Sequence, residues 1–96
     1  MISTNHQWKF QFSKKADKEF SKLDKAVKQK IYAFFSRMKN VPNPRDLGEA
    51  LRGPYKEYWK YKTGDYRMIC KIEDTILTIM VLKVGHRKEI YTETLH

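Results

Sequence analysis

The chain has 96 residues, with twenty Lys+Arg against eleven Asp+Glu, a formal net charge of +9 and one cysteine. That length holds one small domain and no second core, so any ligand must be met at the surface. A lone Cys70 excludes a disulfide framework and a cysteine-rich zinc module, no run of about eighteen apolar residues provides a transmembrane helix, and the positive excess makes a polyanion the first partner to consider.

The opening stretch, Met1 to Gln7, has no apolar signal core, so a reduced, cytoplasmic setting is expected. Trp8, Phe10 and Phe12 then alternate with Lys9 and Gln11, the period-two pattern of a half-buried strand. From Ser13, a natural N-cap, the spacing becomes helical: Ala16, Phe20, Leu23, Val27, Ile31, Phe34 and Met38 form one apolar seam. As a single helix that seam would run roughly 34 Å, about the full width of a domain this size. A break is therefore expected at Asp24, giving two antiparallel helices over 14–23 and 25–39. Lys14, Lys15, Lys18, Lys22, Lys25 and Lys28 lie between the apolar positions and solvate the outer helical faces. They leave residues 1–40 with ten basic and three acidic side chains, against ten and eight in residues 41–96.

Asn40 to Pro44 is a loop, and Arg45 to Leu51 suggests one helical turn before Gly53-Pro54. Three segments rich in β-branched and aromatic residues follow: Tyr58 to Thr63, Tyr66 to Glu73 and Ile76 to Val84, broken at Gly64-Asp65 and Asp74. The last is apolar at both parities, as a central strand with two buried faces would be. Arg87 to Leu95 is polar and reads as a short helix or a tail. The expected fold is α+β: an N-terminal strand, a two-helix hairpin and a three-stranded antiparallel meander, forming one twisted sheet with the helices on one face. Residues 1–96 make a single domain.

Glycine at the first central position of Thr63-Gly64-Asp65-Tyr66 suits a two-residue type II′ hairpin. That register sets Lys62 opposite Arg67 and Lys60 opposite Ile69. Tyr58, Lys60, Lys62, Arg67 and Lys71 then share one face, and Trp59, Tyr61, Tyr66, Met68 and Cys70 lie under the helices. Like charges placed directly opposite are destabilising, and a polyanion across that face would relieve Lys62 and Arg67. Just past the last strand, Val84-Gly85-His86-Arg87-Lys88 places an imidazole and two cations, with Tyr91 close behind. His6, His86 and His96 lie far apart, without an accompanying acidic cluster, so no metal site and no cofactor are expected. Cys70 belongs to the core rather than to nucleophilic chemistry.

Leu51-Arg52-Gly53, Gly64-Asp65-Tyr66-Arg67 and Val84-Gly85-His86-Arg87-Lys88-Glu89-Ile90-Tyr91, taken in this order along nearly the whole chain, resemble the RelE branch of the RelE/ParE toxin superfamily. Such proteins are the toxic halves of type II toxin–antitoxin pairs. RelE-like members cut mRNA in the ribosomal A site, whereas ParE-like relatives target DNA gyrase and lack the nuclease residues. The resemblance makes Arg67 the contact to the scissile phosphate and Lys60 one of two catalytic lysines. Tyr58 stands at the other lysine position, and Lys62 substitutes from the same face. Arg87 matches the arginine after the last strand, Tyr91 the tyrosine that stacks on or polarises the substrate nucleotide, and His86 a catalytic histidine of other branches. The implied catalytic set is Lys60, Arg67, His86, Arg87 and Tyr91, with Tyr58, Lys62, Arg52 and Lys88 as further substrate contacts.

The implied reaction is metal-independent attack of a ribose 2′-OH on the adjacent phosphate. It needs a base, an acid and cations for the extra phosphate charge. Lys60 beside other cations suits the base, His86 the acid, and Arg67 with Arg87 the clamp. Implied partners are the ribosome, mRNA and a cognate antitoxin with an acidic segment, through which the complex would bind operator DNA. No membrane is implied. A non-catalytic RNA-binding module, its cations only holding phosphates, is the rival from another class.

Overall fold

Trp8, Phe10 and Phe12 turn toward the helices while Lys9 and Gln11 stay exposed, as the alternation requires. The computed structural model describes residues 7–90 and makes this segment β1 (Lys9–Phe12). Ser13 ends the strand and opens α1 (Lys14–Ser21): its Oγ accepts the Ala16 N–H at 3.1 Å and donates to the Leu82 carbonyl at 3.3 Å. The seam breaks at Asp24, whose extended backbone (ψ 152°) precedes α2 (Lys25–Met38). Phe20 of α1 meets Tyr32 of α2 edge to face at 5.1 Å, and Phe35 stacks on Phe10 at 4.2 Å. Aromatic pairs of this kind add to the burial of their area, so they fix the helices against the strand as well as covering it.

After α2 come a 3-10 turn (Pro44–Leu47), the short strand β2 (Glu49–Ala50) and a second 3-10 turn (Gly53–Tyr55). β3 (Tyr58–Thr63) and β4 (Tyr66–Glu73) have the expected bounds, and β5 (Thr78–His86) and α3 (Arg87–Ile90) complete the described chain. The sheet has five strands in the order β1-β5-β4-β3-β2. β5 is central as expected, antiparallel to β4 and parallel to β1. Ile31, Phe34, Phe35 and Met38 of α2 pack on Tyr61, Met68, Cys70, Ile79 and Val81, which puts the core on the helical side of the sheet. No helix among the described residues is long and apolar enough to cross a membrane.

Three expectations need correction. The stretch Arg45 to Leu51 is not one helical turn: the 3-10 turn stops at Leu47, and Glu49–Ala50 joins the sheet against Lys60 and Trp59. Two residues without β-branching leave no strand signature, so only pairing with β3 creates β2. The last strand starts at Thr78 rather than Ile76, because Asp74–Ile76 forms a 3-10 turn and Leu77 adopts a left-handed backbone (φ 46°). Its two faces are also not those of simple alternation. Ile69 pairs with Lys83 but Cys70 with Val81, so the strand bulges at Leu82. The bulge puts Val84 on the same side as Ile79 and Val81 and carries the strand on to His86.

Two contacts secure the end of the sheet near β2. Arg45 donates from Nη1 and Nη2 to the two Asp74 carboxylate oxygens at 3.0 and 2.8 Å, which holds the Asp74 carboxyl below the usual carboxylate range. Gly48 lies against Tyr61: a Cβ there would stand 2.7 Å from Tyr61 Cε1 and 2.9 Å from the Lys60 carbonyl oxygen. The Tyr61 ring cannot yield, being fully buried with its hydroxyl donating to the Pro44 carbonyl at 2.8 Å. Gly48→Ala should therefore lower unfolding stability by about 1–3 kcal/mol, the usual cost of overpacking, read as a shift of the denaturant midpoint. A depressed carboxyl stabilises the fold above its unfolded value, near 3.9, and loses that contribution as pH falls through the folded value. Because the pair is largely exposed, Asp74→Asn should cost about 0.2–1 kcal/mol at pH 7. The difference from wild type should shrink below about pH 4, in urea titrations run at both pH values.

Candidate functional site

The Gly64–Asp65 turn sets the register on which the site is built. Lys62 pairs with Arg67, Lys60 with Ile69 and Tyr58 with Lys71, as the sequence predicts. Gly64 has φ +59° and Asp65 does not share the positive φ, as a type II′ turn requires. Opposed residues share a face, so Tyr58, Lys60, Lys62, Arg67 and Lys71 project from the side of the sheet away from the helices.

The like-charge conflict on that face is met from β2. The Glu49 carboxylate lies 3.4 Å from Lys60 Nζ and 4.0 Å from Lys62 Nζ. Sequence reading missed Glu49 because its strand was not foreseen. An acidic residue six positions before Tyr55 carries no motif of its own; the signal that would have found it is the unrelieved Lys62/Arg67 pair. Arg67 is half-buried, and its Nη1 donates to the Gly64 and Tyr66 carbonyls at 2.9 and 3.0 Å. Its Nε–H is buried without a hydrogen-bond partner among the described residues. A buried donor left unpaired is costly, which makes this nitrogen a fitting partner for an incoming anion.

Arg87 is brought to the same turn. Its backbone N–H donates to the Asp65 carbonyl at 2.7 Å, and its Nε lies 3.6 Å from Asp65 Oδ1. α3 then folds back over the Arg67 side of the sheet. Ile90 is buried, with Cδ1 3.5 Å from where a Gly85 Cβ would be, and Gly85 is the residue opposite Arg67. Glu19 of α1 closes the free edge of β5: Oε1 accepts the Val84 N–H at 2.8 Å and Oε2 lies 3.9 Å from the buried Lys83 Nζ.

His86 does not join the cations. It is the last residue of β5 rather than a residue past its end, and it pairs with Tyr66. The Tyr66 and His86 rings meet edge to face at 5.4 Å, on the helical side and so across the sheet from Arg67. The His86 Nδ1 accepts the Lys88 N–H at 3.1 Å. Tyr58 is half-buried with its ring 6.3 Å from Tyr55, whereas Arg52 and Lys88 are exposed. Tyr91 lies outside the described residues. Burial raises the Cys70 thiol far above the range of a reactive thiolate, consistent with a packing role. Among the described residues, no three His, Cys, Asp or Glu side chains group closely enough to hold a metal ion.

Residues 10–91 match the family model described as the ParE toxin of type II toxin–antitoxin systems. The chain belongs to the RelE/ParE toxin superfamily of type II toxin–antitoxin systems. It is 33% identical to the toxin RelG of Mycobacterium tuberculosis over 48 residues, 50% of this chain and 55% of that protein; the match thus spans about half the length of that curated relative. Among solved structures it is similar to the M. tuberculosis toxin–antitoxin complex RelBE2 (24% identity, TM-score 0.76, 86% of this chain and 94% of that one). It is also similar to a mutant of the E. coli toxin RelE in the free state (25% identity, TM-score 0.70, 91% and 93%).

If Lys62 is spent on a polyanion's phosphate, its removal should be visible in the salt dependence of binding. Lys62→Ala is expected to reduce the slope of log K against log salt by about 0.7 for single-stranded RNA, measured by fluorescence anisotropy between 50 and 200 mM salt.

Proposed function

We propose that the protein is a ribosome-dependent endoribonuclease that cuts mRNA in the cytoplasm by 2′-OH attack and is neutralised by a cognate antitoxin. The observation that carries this reading is one grouping on the open sheet face: the buried, unspent Nε–H of Arg67 beside the Lys60–Glu49–Lys62 cluster. Cations that hold a phosphate, a proton acceptor and a proton donor thereby lie within one patch.

In this scheme Arg67 and Arg87 bind the phosphate oxygens and Lys62 adds a point charge. The O2′–P bond forms as the 2′ proton passes to Glu49. The P–O5′ bond breaks as the Lys60 ammonium gives a proton to the leaving oxygen. The products are a 2′,3′-cyclic phosphate and a 5′-hydroxyl, and the short Glu49–Lys60 separation lets the proton return afterwards. Lys60 thus acts as donor and Glu49, 3.4 Å from its Nζ, as acceptor. His86, across the sheet, takes no proton in this scheme. Tyr91 keeps the role the resemblance implies, stacking on or holding the substrate nucleotide, and Tyr58, Arg52 and Lys88 are peripheral contacts. In-line geometry imposed by the ribosome would supply several further kcal/mol, on the order of what fixed orientation yields elsewhere.

The solved RelBE2 relative is a toxin–antitoxin complex, which supports an antitoxin partner for this chain. Against a net charge of +9, its binding segment is expected to be acidic, folding as it wraps the toxin. Operator DNA would be reached through that antitoxin. A second reading, a ParE-like inhibitor of DNA gyrase without nuclease activity, is favoured by the description of the matching family model.

The two readings separate when the chain is expressed alone and with Arg67→Ala or Arg87→Ala. The nuclease reading expects growth arrest with cut translating mRNA, and cleavage at least about a hundredfold slower in either variant, as for loss of one charge-stabilising donor. Arrest with intact mRNA would sink it in favour of the gyrase reading.

A further inference from the structure

We propose that Tyr66 and His86 form a stacking site for the nucleobase next to the cleaved phosphate, on the helical side of the sheet; the substrate assigned to it rests on the nuclease reading above. Tyr66 precedes Arg67, so the pleat sends its ring to the opposite face from the phosphate-holding guanidinium. The ring is half-exposed and braced by His86 at 5.4 Å in a T-shaped pair. The His86 ring is fixed in turn, since Nδ1 accepts the Lys88 N–H and leaves Nε2 as the donor of the neutral imidazole.

Beside Tyr66 lies a recess of ≈ 220 Å³ lined by Val27, Lys30, Thr63 and Asp65 among others. Pockets for drug-sized ligands are larger, roughly 300–1,000 Å³, so this one suits a single ring system. Lys30 and Asp65 stand exposed there, and with the Thr63 hydroxyl they offer both donors and acceptors to a base edge. Asp65 also faces Arg87, so its charge is balanced rather than set against the RNA.

The path from Arg67 to this recess crosses the Gly64–Asp65 turn. Gly64 presents no side chain, and nothing lies within 4 Å of where its Cβ would be, so the ridge is bare. Arg87, held at the same turn by Asp65, sits between the two faces. A strand whose cleaved phosphate is gripped by Arg67 and Arg87 bends over the turn and lays the adjacent base on Tyr66. Unpaired, splayed bases stacked on aromatic rings are the usual means of reading single-stranded RNA. The two rings thereby acquire a role in choosing the cleavage site, which the cations alone cannot give.

The test compares Tyr66→Leu, Tyr66→Phe and His86→Gln with wild type on ribosomes programmed with mRNAs carrying a normal or an abasic nucleotide beside the cleaved bond. Expected is a loss in kcat/KM of about tenfold for Tyr66→Leu on the base-bearing message and none on the abasic one. Tyr66→Phe, which keeps the ring, should retain wild-type preference, and His86→Gln should weaken the preference without moving the pH–rate profile. Equal losses on both messages would overturn the site while leaving the nuclease intact. A second readout needs no cleavage: quenching of a short single-stranded RNA carrying 2-aminopurine on binding to the full chain. Quenching lost in Tyr66→Leu and kept in Tyr66→Phe supports the site even if the wild type cuts nothing, an outcome that would overturn only the nuclease reading. Binding without quenching in the wild type overturns the base site.

Discussion

The alternation of side chains along β3 and β4, pinned by the Gly64–Asp65 turn, is the constraint on which the molecule's two faces depend. A slip of one residue would send Lys60, Lys62 and Arg67 into the helical core and Tyr61 and Met68 into solvent. Tyr61 is fully buried and hydrogen-bonded to the Pro44 carbonyl, so the register is fixed from the core side. Burial of the apolar face thus forces the cations together on the other, at an electrostatic cost that the fold meets with Glu49.

That compensation links stability to chemistry. Glu49 is where it is because Gly48 lets β2 run hard against Tyr61 and the Lys60 carbonyl, close enough to pair with β3. The same carboxylate that quiets Lys60 and Lys62 is the one acidic group close to both of them that the described ion pairs show. Arg67 is treated differently: its Nη1 is spent on carbonyls of its own turn, and its Nε is left buried and unpaired. An orphan donor beside paired lysines is the kind of local frustration that binding relieves.

The C-terminal end of β5 divides its residues between the faces. Gly85 lies opposite Arg67 and carries Ile90 over it, so α3 closes on the cationic side, whereas His86 turns to Tyr66 on the other. The bulge at Leu82 sets this division, since it inverts the parity of every later residue in the strand. Arg87, past the strand end and tied to Asp65, belongs to the turn itself. The hairpin turn is therefore the place where the cationic side and the aromatic side of the molecule meet.

Much of this was legible in the residues. Period-two alternation located β1, β-branched and aromatic content located β3 and β4, the length of the apolar seam demanded the break at Asp24, and the turn chemistry of Gly64-Asp65 gave the register that groups Lys60, Lys62 and Arg67. These follow from local rules, in which a residue's neighbours in sequence decide its direction. Three features could not follow from them. β2 exists only because β3 offers it hydrogen bonds. The Leu82 bulge, which moves His86 across the sheet from Arg67, depends on how β4 and β5 fit over a shared core. The Glu49 carboxylate reaches Lys60 only through that non-local pairing. Sequence determined β1, β3, β4, the turn and the charge; the packing of distant segments decided which charges face each other and which aromatic rings stand apart from them.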